Sequence, residues 1–147
     1  MKKQEYIEYV ESRAKKSPII KNCGFAFLIG GLICTLGQIF IDLYTMWGMD
    51  KNDAGTLSSV SLIFIAVLLT GLGIFDSIAK IAGAGTLVPI TGFANAVSSQ
   101  AIDSKSEGYI LGVGAKMFSV AGPVIVYALV SGTLYGVIYY FSTLIWG

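Results

Sequence analysis

Two ionisable side chains, Asp42 and Lys116, stand inside long apolar runs of this chain. A charge within hydrocarbon is costly, and it marks an ion path, a proton relay or a ligand contact by default. Asp42 lies near the outer end of its run, so reaching the interface is the alternative. Lys116 could draw an anion inward or could snorkel to the membrane surface. On a helical wheel Asp42 shares an arc with Gly30, Gly31, Cys34, Gly37, Gln38 and Thr45, while Leu28, Leu32, Leu36, Ile39 and Leu43 lie opposite. That arc faces other protein or water, and its glycines and Gln38 also suit plain helix packing.

A third candidate is backbone. The stretch IAGAGTLVPITGFANA, Ile81 to Ala96, carries Gly83, Gly85 and Pro89 inside a hydrophobic run. A continuous helix there is improbable. Irregular backbone at membrane depth survives only where protein buries it or water fills a cavity. Broken segments of this kind build transport sites, because half-helix N-termini offer partial positive charge to anions. Thr86 supplies a hydroxyl at the break, and Thr91, Gly92 and Asn95 open the second half-helix with groups that can bind or cap. The competing reading is a kinked packing helix.

Other chemistries are thinly supplied. There is no histidine, no cysteine cluster and no Gly-rich loop ending in Gly-Lys-Ser/Thr. Cys23 and Cys34 would sit about 16 Å apart on one helix, too far to bridge. Gly71-Leu72-Gly73 followed by Asp76 approaches the GxGD motif of intramembrane aspartyl proteases. The aspartate is displaced from that motif, and Asp42 should lie near the opposite face of the bilayer, so the enzyme reading is rejected. No catalytic residue, cofactor or metal is expected.

The elements that must position these residues follow from composition. Of 147 residues 54% are hydrophobic and 13% charged, with 18 glycines and a mean hydropathy of +0.72. A soluble domain of this size could not hide so much apolar surface. The expected fold is an all-α integral membrane protein with three to four transmembrane helices. To these it adds a broken, re-entrant or discontinuous Gly/Pro-interrupted segment and an N-terminal amphipathic helix. Residues 1–22 read as a basic amphipathic cytoplasmic segment, holding six of the ten basic residues; a cleaved leader is not expected. Residues 23–147 read as one membrane domain with spans at about 24–47, 57–80 and 123–146. Its broken segments are expected at about 81–98 and 108–122. A polar loop is expected over 48–56, and a cut at Gly122-Pro123. On the last span Ala128, Gly132 and Gly136 carry the small-xxx-small spacing of close helix packing. The net charge of +1 says nothing about partners, and no nucleic-acid partner is expected.

Four stretches carry a resemblance: FLIGGLICTLGQ (Phe27 to Gln38), LLTGLGIFD (Leu68 to Asp76), the broken stretch from Ile81 to Ala96, and KSEGYILGVGAKMF (Lys105 to Phe118). Together they resemble the membrane proteins of the stage V sporulation A operon, of the AC/AEb type, over almost the whole chain from Cys23 onwards. The resemblance implies a multi-pass protein of the forespore and spore inner membrane, with its N-terminus on the core side. It implies a subunit of a channel that moves dipicolinic acid, with its calcium, into the forespore and out during germination. It also implies two partners, an AEb-type membrane paralogue and an AD-type soluble dipicolinate-binding protein. On the residues, two roles stay open: a chain lining a gated passive conduit, and a scaffold beside a partner's pore. A proton-coupled carrier using Asp42 is a third possibility.

Overall fold

The computed structural model describes Tyr6, Tyr9 and residues 18–146, and the expected amphipathic helix over residues 2–16 otherwise lies outside them. The helices are α1 (Ile19–Met46), α2 (Lys51–Gly71), α3 (Ile74–Ala82), α4 (Ala84–Leu87), α5 (Ile90–Asp103) and α6 (Ala115–Trp146). A 3-10 turn, Lys105–Glu107, and a π-helical stretch, Tyr109–Gly114, join α5 to α6. No strand occurs among the described residues. Three segments are long and apolar enough to cross a membrane: Ile19–Met46, Lys51–Gly71 and Tyr109–Ile145. The chain is an all-α integral membrane protein.

α1 and α2 form an antiparallel hairpin held by small residues and hydroxyls. Gly37 is buried against α2, where the Ser58 hydroxyl donates to its carbonyl at 2.9 Å. Tyr44 Oη and Ser61 Oγ lie 2.7 Å apart nearby. In lipid no hydrophobic force draws helices together, so close approach at glycine and interhelical hydrogen bonds do that work. The buried apolar residues fit this account: Ala54, Ala66, Ala82 and Ala94, with Phe75 as the one large side chain.

Three expectations about the helices need correction. The stretch expected as a polar loop is helical from Lys51, because the Asp50 carboxylate caps α2 by accepting from the Asn52 N–H at 3.3 Å. The second span does not run to residue 80. It ends at Gly71, and Gly73 takes the left-handed conformation (φ 72°) that ends helices and that glycine adopts without strain. The expected cut at Gly122-Pro123 is absent: Pro123 lies inside the unbroken α6, which continues the π-helical stretch. One lost N–H does not break a helix whose other backbone groups have no water to turn to. The Ser119 hydroxyl bonds the Lys116 carbonyl at 2.7 Å just before it.

Between α2 and α6 the chain dips into the bundle and returns. The end of α3, Lys80 to Ala82, adjoins Ile19, Asn22, Cys23 and Ala26 at the start of α1. Pro89 adjoins Gly30, Gly31 and Cys34, near the middle of α1. Asn95 then meets Thr70 near the end of α2, and Asp103 shares a cavity with Asp76 back at the first end. The segment expected to re-enter or to cross therefore returns to the end of the bundle from which it left.

Candidate functional site

Two residues make the re-entrant turn. Gly83 takes φ 52°, ψ −121°, a conformation that strains any side chain. Its carbonyl accepts from the Thr86 N–H at 3.2 Å and from the Thr86 hydroxyl at 3.0 Å, which fastens the single turn of α4. Pro89 is extended (φ −66°, ψ 162°) and starts α5 with no side-chain cap. A proline suits that place, because it fixes its own φ and has no N–H to leave unpaired. Its carbonyl accepts from the Gly92 N–H at 2.9 Å.

Glycines let the turn seat. A Cβ on Gly85 would come within 2.9 Å of Ala26 Cα and closer still to the Ala26 carbonyl. Across the same contact a Cβ on Gly30 would lie 3.3 Å from Gly85 Cα. On the inner side a Cβ on Gly92 would stand 2.7 Å from Leu87 Cα. Backbone therefore packs on backbone on both sides of α4. Thr86 is 1% exposed. Thr91 is 6% exposed, and its hydroxyl is the only buried side-chain N or O among the described residues with no hydrogen-bond partner. An orphaned hydroxyl in an apolar setting costs on the order of 1–3 kcal/mol. It sits in the first turn of α5, where a helix also presents unpaired N–H groups and Cβ bonds tilt toward the N-terminus.

The proposed path residues divide into groups. Gly83, Gly85, Thr86, Pro89, Thr91 and Gly92 come together at the turn. Asn95 is turned towards α2, its Oδ1 2.8 Å from Thr70 Oγ1. Lys116 is exposed on the first turn of α6. Its neighbour Met117 shares an apolar cavity of about 460 Å³ with Ala101 and Ile102, at the far end of α5 from Pro89. Gln38 and Asp42 pair with each other, Nε2 to Oδ1 at 2.8 Å, on an exposed part of α1. Gly132 and Gly136, named for packing, face open space.

Two cavities follow the seam between α1 and the descending half of the hairpin. One, of about 360 Å³, lies at the bundle end between Ile19, Asn22, Cys23, Ala26 and residues 80–84. The other, of about 340 Å³, runs from Ala26 past Gly30, Gly31 and Cys34 to Val88 and Pro89. Ala26 and Ala84 line both. A polar cavity of about 290 Å³ on another face is lined by Thr70, Asp76, Asn95, Ser99 and Asp103. Reading the residues missed Thr70 as the partner of Asn95, and it considered Cys23 and Cys34 as a disulfide pair that cannot form. Cys34 already stood on the small, polar arc of the first helix, and that was the available signal.

Three segments long and apolar enough to cross a membrane, with a glycine-seated hairpin that leaves and returns to one end of the bundle, define a small multi-pass membrane protein. The sequence comparisons place it more closely. The SpoVAC/SpoVAEB sporulation membrane protein family matches residues 22–138, and the chain belongs to that family. It is 44% identical over 137 residues to stage V sporulation protein AC of Bacillus subtilis (strain 168), an alignment covering 92% of this chain and 91% of that protein. No solved structure gives a significant match.

Proposed function

We propose that this sporulation membrane protein is a subunit of the spore inner-membrane channel for dipicolinic acid, a gated passive conduit rather than an enzyme or a pump. The observation that carries this reading is the re-entrant hairpin. It brings the backbone of Gly85 and the helix start at Pro89 beside the middle of α1, with the orphaned Thr91 hydroxyl two residues further on. Dipicolinate is a dianion at neutral pH, and bare hydrocarbon excludes it. Partial positive charge at the start of α5 suits such a cargo, with calcium as its counter-ion. The assembly includes an AEb-type membrane paralogue and an AD-type soluble dipicolinate-binding protein. The N-terminal flank of α1 faces the core, as its basic residues favour.

The alternative is a scaffold that assembles the complex around a partner's pore. It is favoured by α6, whose residues from Pro123 to Ile145 are all exposed, with open space beside Gly132 and Gly136. The test is the dipicolinate content of spores lacking this protein, complemented with wild type or Thr91→Val, with the level of the membrane paralogue followed in parallel. Low dipicolinate in Thr91→Val spores at normal complex level supports the conduit. Normal content in that variant, against a deficient deletion strain, supports the scaffold. Normal content in the deletion strain removes both.

A further inference from the structure

From the seam between α1 and α4 we infer that the dianion travels along the groove floored by Ala26, Gly30, Gly31 and Gly85, entering between Asn22 and Lys80 and ending at Pro89. This rests on the conduit reading above and specifies where in the chain the conduit runs. It also moves the path away from Asn95 and Lys116.

Three observations choose this groove. First, its two cavities meet at Ala26 and Ala84 and span the distance from the bundle end to the hairpin turn, so a solute entering there reaches half depth without leaving the seam. Second, glycine and alanine form the floor of the deeper cavity, with Phe27 and Val88 beside them. A Cβ on Gly31 would meet nothing within 4 Å, and the strip of glycine and alanine backbone presents a flat wall to a planar aromatic ring. Each cavity lies in the size range of small-molecule sites, roughly 300–1,000 Å³.

Third, charge separates this groove from its rival. The cavity on the other face carries the carboxylates of Asp76 and Asp103 and is spanned by the Thr70–Asn95 contact. Two like charges at its mouth repel a dianion. The mouth of the α1–α4 groove carries Lys80 and the Asn22 amide instead. Lys80 lies 2.7 Å from Asp76, but both side chains are more than two-thirds exposed. A surface pair of this kind is held weakly, and two of the three ammonium protons stay free for a carboxylate. The i, i+4 pair on α3 thus turns its cation to one groove and its anion to the other.

Both cysteines of the chain lie on this route, Cys23 at the mouth and Cys34 beside the turn, and both are free and exposed in the seam. They make the test direct. Single-thiol forms, Cys34→Ser and Cys23→Ser, are assembled in spore inner membranes with the rest of the complex. They are then treated with a small maleimide with and without dipicolinate. Gly31→Leu, whose Cβ would meet nothing within 4 Å and whose larger side chain is meant to narrow the groove, is compared with Gly31→Ala for dipicolinate content. Dipicolinate should slow labelling at both thiols, and Gly31→Leu should lower content severalfold at normal complex level while Gly31→Ala retains it. Labelling indifferent to dipicolinate, with normal content in Gly31→Leu, overturns the route and leaves the conduit reading standing. Should Gly31→Leu fail to assemble, the thiol labelling alone decides. Deletion spores with normal dipicolinate would show that the conduit reading itself has failed.

Discussion

Thr70 of α2 and Asn95 of α5 hold the returning half of the hairpin: their side-chain oxygens are 2.8 Å apart across the helix interface. Thr70 Oγ1 also lies 2.7 Å from the Ala66 carbonyl, so its single proton serves two acceptors. The returning half of the hairpin is fastened by this contact and by Phe75, which packs with Ala66 and Ala94. Asn95→Leu should therefore act through stability. A hydrogen bond between membrane helices is worth about 0.6–2 kcal/mol, so the thermal midpoint of the detergent-solubilised protein should fall by a few degrees. Thr70→Val should cause a similar fall, and the double variant should lose less than the sum of the two.

Gly85→Ala should be strongly damaging, because the new methyl meets Ala26 backbone on the facing helix. Overpacking of that kind costs about 1–3 kcal/mol or more. Gly132→Ala, which meets open space, is the matched control. Yield of folded protein and thermal midpoint should drop for the first and hold for the second, measured on the isolated chain.

Thr91→Val removes a buried hydroxyl that nothing bonds while keeping its shape. The protein should become more stable, by about 1–3 kcal/mol if the site is dry. Under the conduit reading transport should fall at the same time. A denaturant titration beside a dipicolinate assay checks both; a loss of stability would mean that the hydroxyl holds a water.

Asp42→Asn keeps an oxygen to accept from Gln38 Nε2, now 2.8 Å from the carboxylate, and removes the charge. A passive conduit through the α1–α4 seam does not use that charge, so dipicolinate content should be unchanged. Loss of accumulation in this variant would instead favour proton coupling at Asp42.

Pro123→Ala restores one hydrogen bond within the continuous α6. Helical content by far-ultraviolet circular dichroism should stay the same, and the thermal midpoint should rise. A large gain in helix signal would mean that the proline had been interrupting the helix after all.

The breaks at Gly83 and Pro89 were legible because they are local: a positive φ and a missing N–H are properties of the residues themselves. The depth of the hairpin was not. It is set by Gly85 and Gly30 meeting across residues far apart in the chain, and no periodicity encodes that contact. Gly73 was weighed only in the GxGD comparison and not as a helix end, since its flanks, Leu72 and Ile74, are as apolar as any span. The start of α2 could have been read from Asp50, a capping residue ahead of a charged first turn. Pro123 misled in the other direction. Its usual effect in water depends on solvent taking up the freed carbonyl, and in lipid the helix has no such competitor. Of the site, the turn residues were visible in the sequence, whereas the separation of Asn95 and Lys116 from them arises from helix packing alone.

The returning hairpin also fixes a parity. Since α3 to α5 leave from and come back to one end of the bundle, crossings by the three long apolar segments would place residues 19 and 145 in different compartments. Reporters fused beyond these two positions should never light up on the same side. Whatever assembles on the C-terminal end of α6 is thereby cut off by the bilayer from whatever reads the mouth at Asn22 and Lys80.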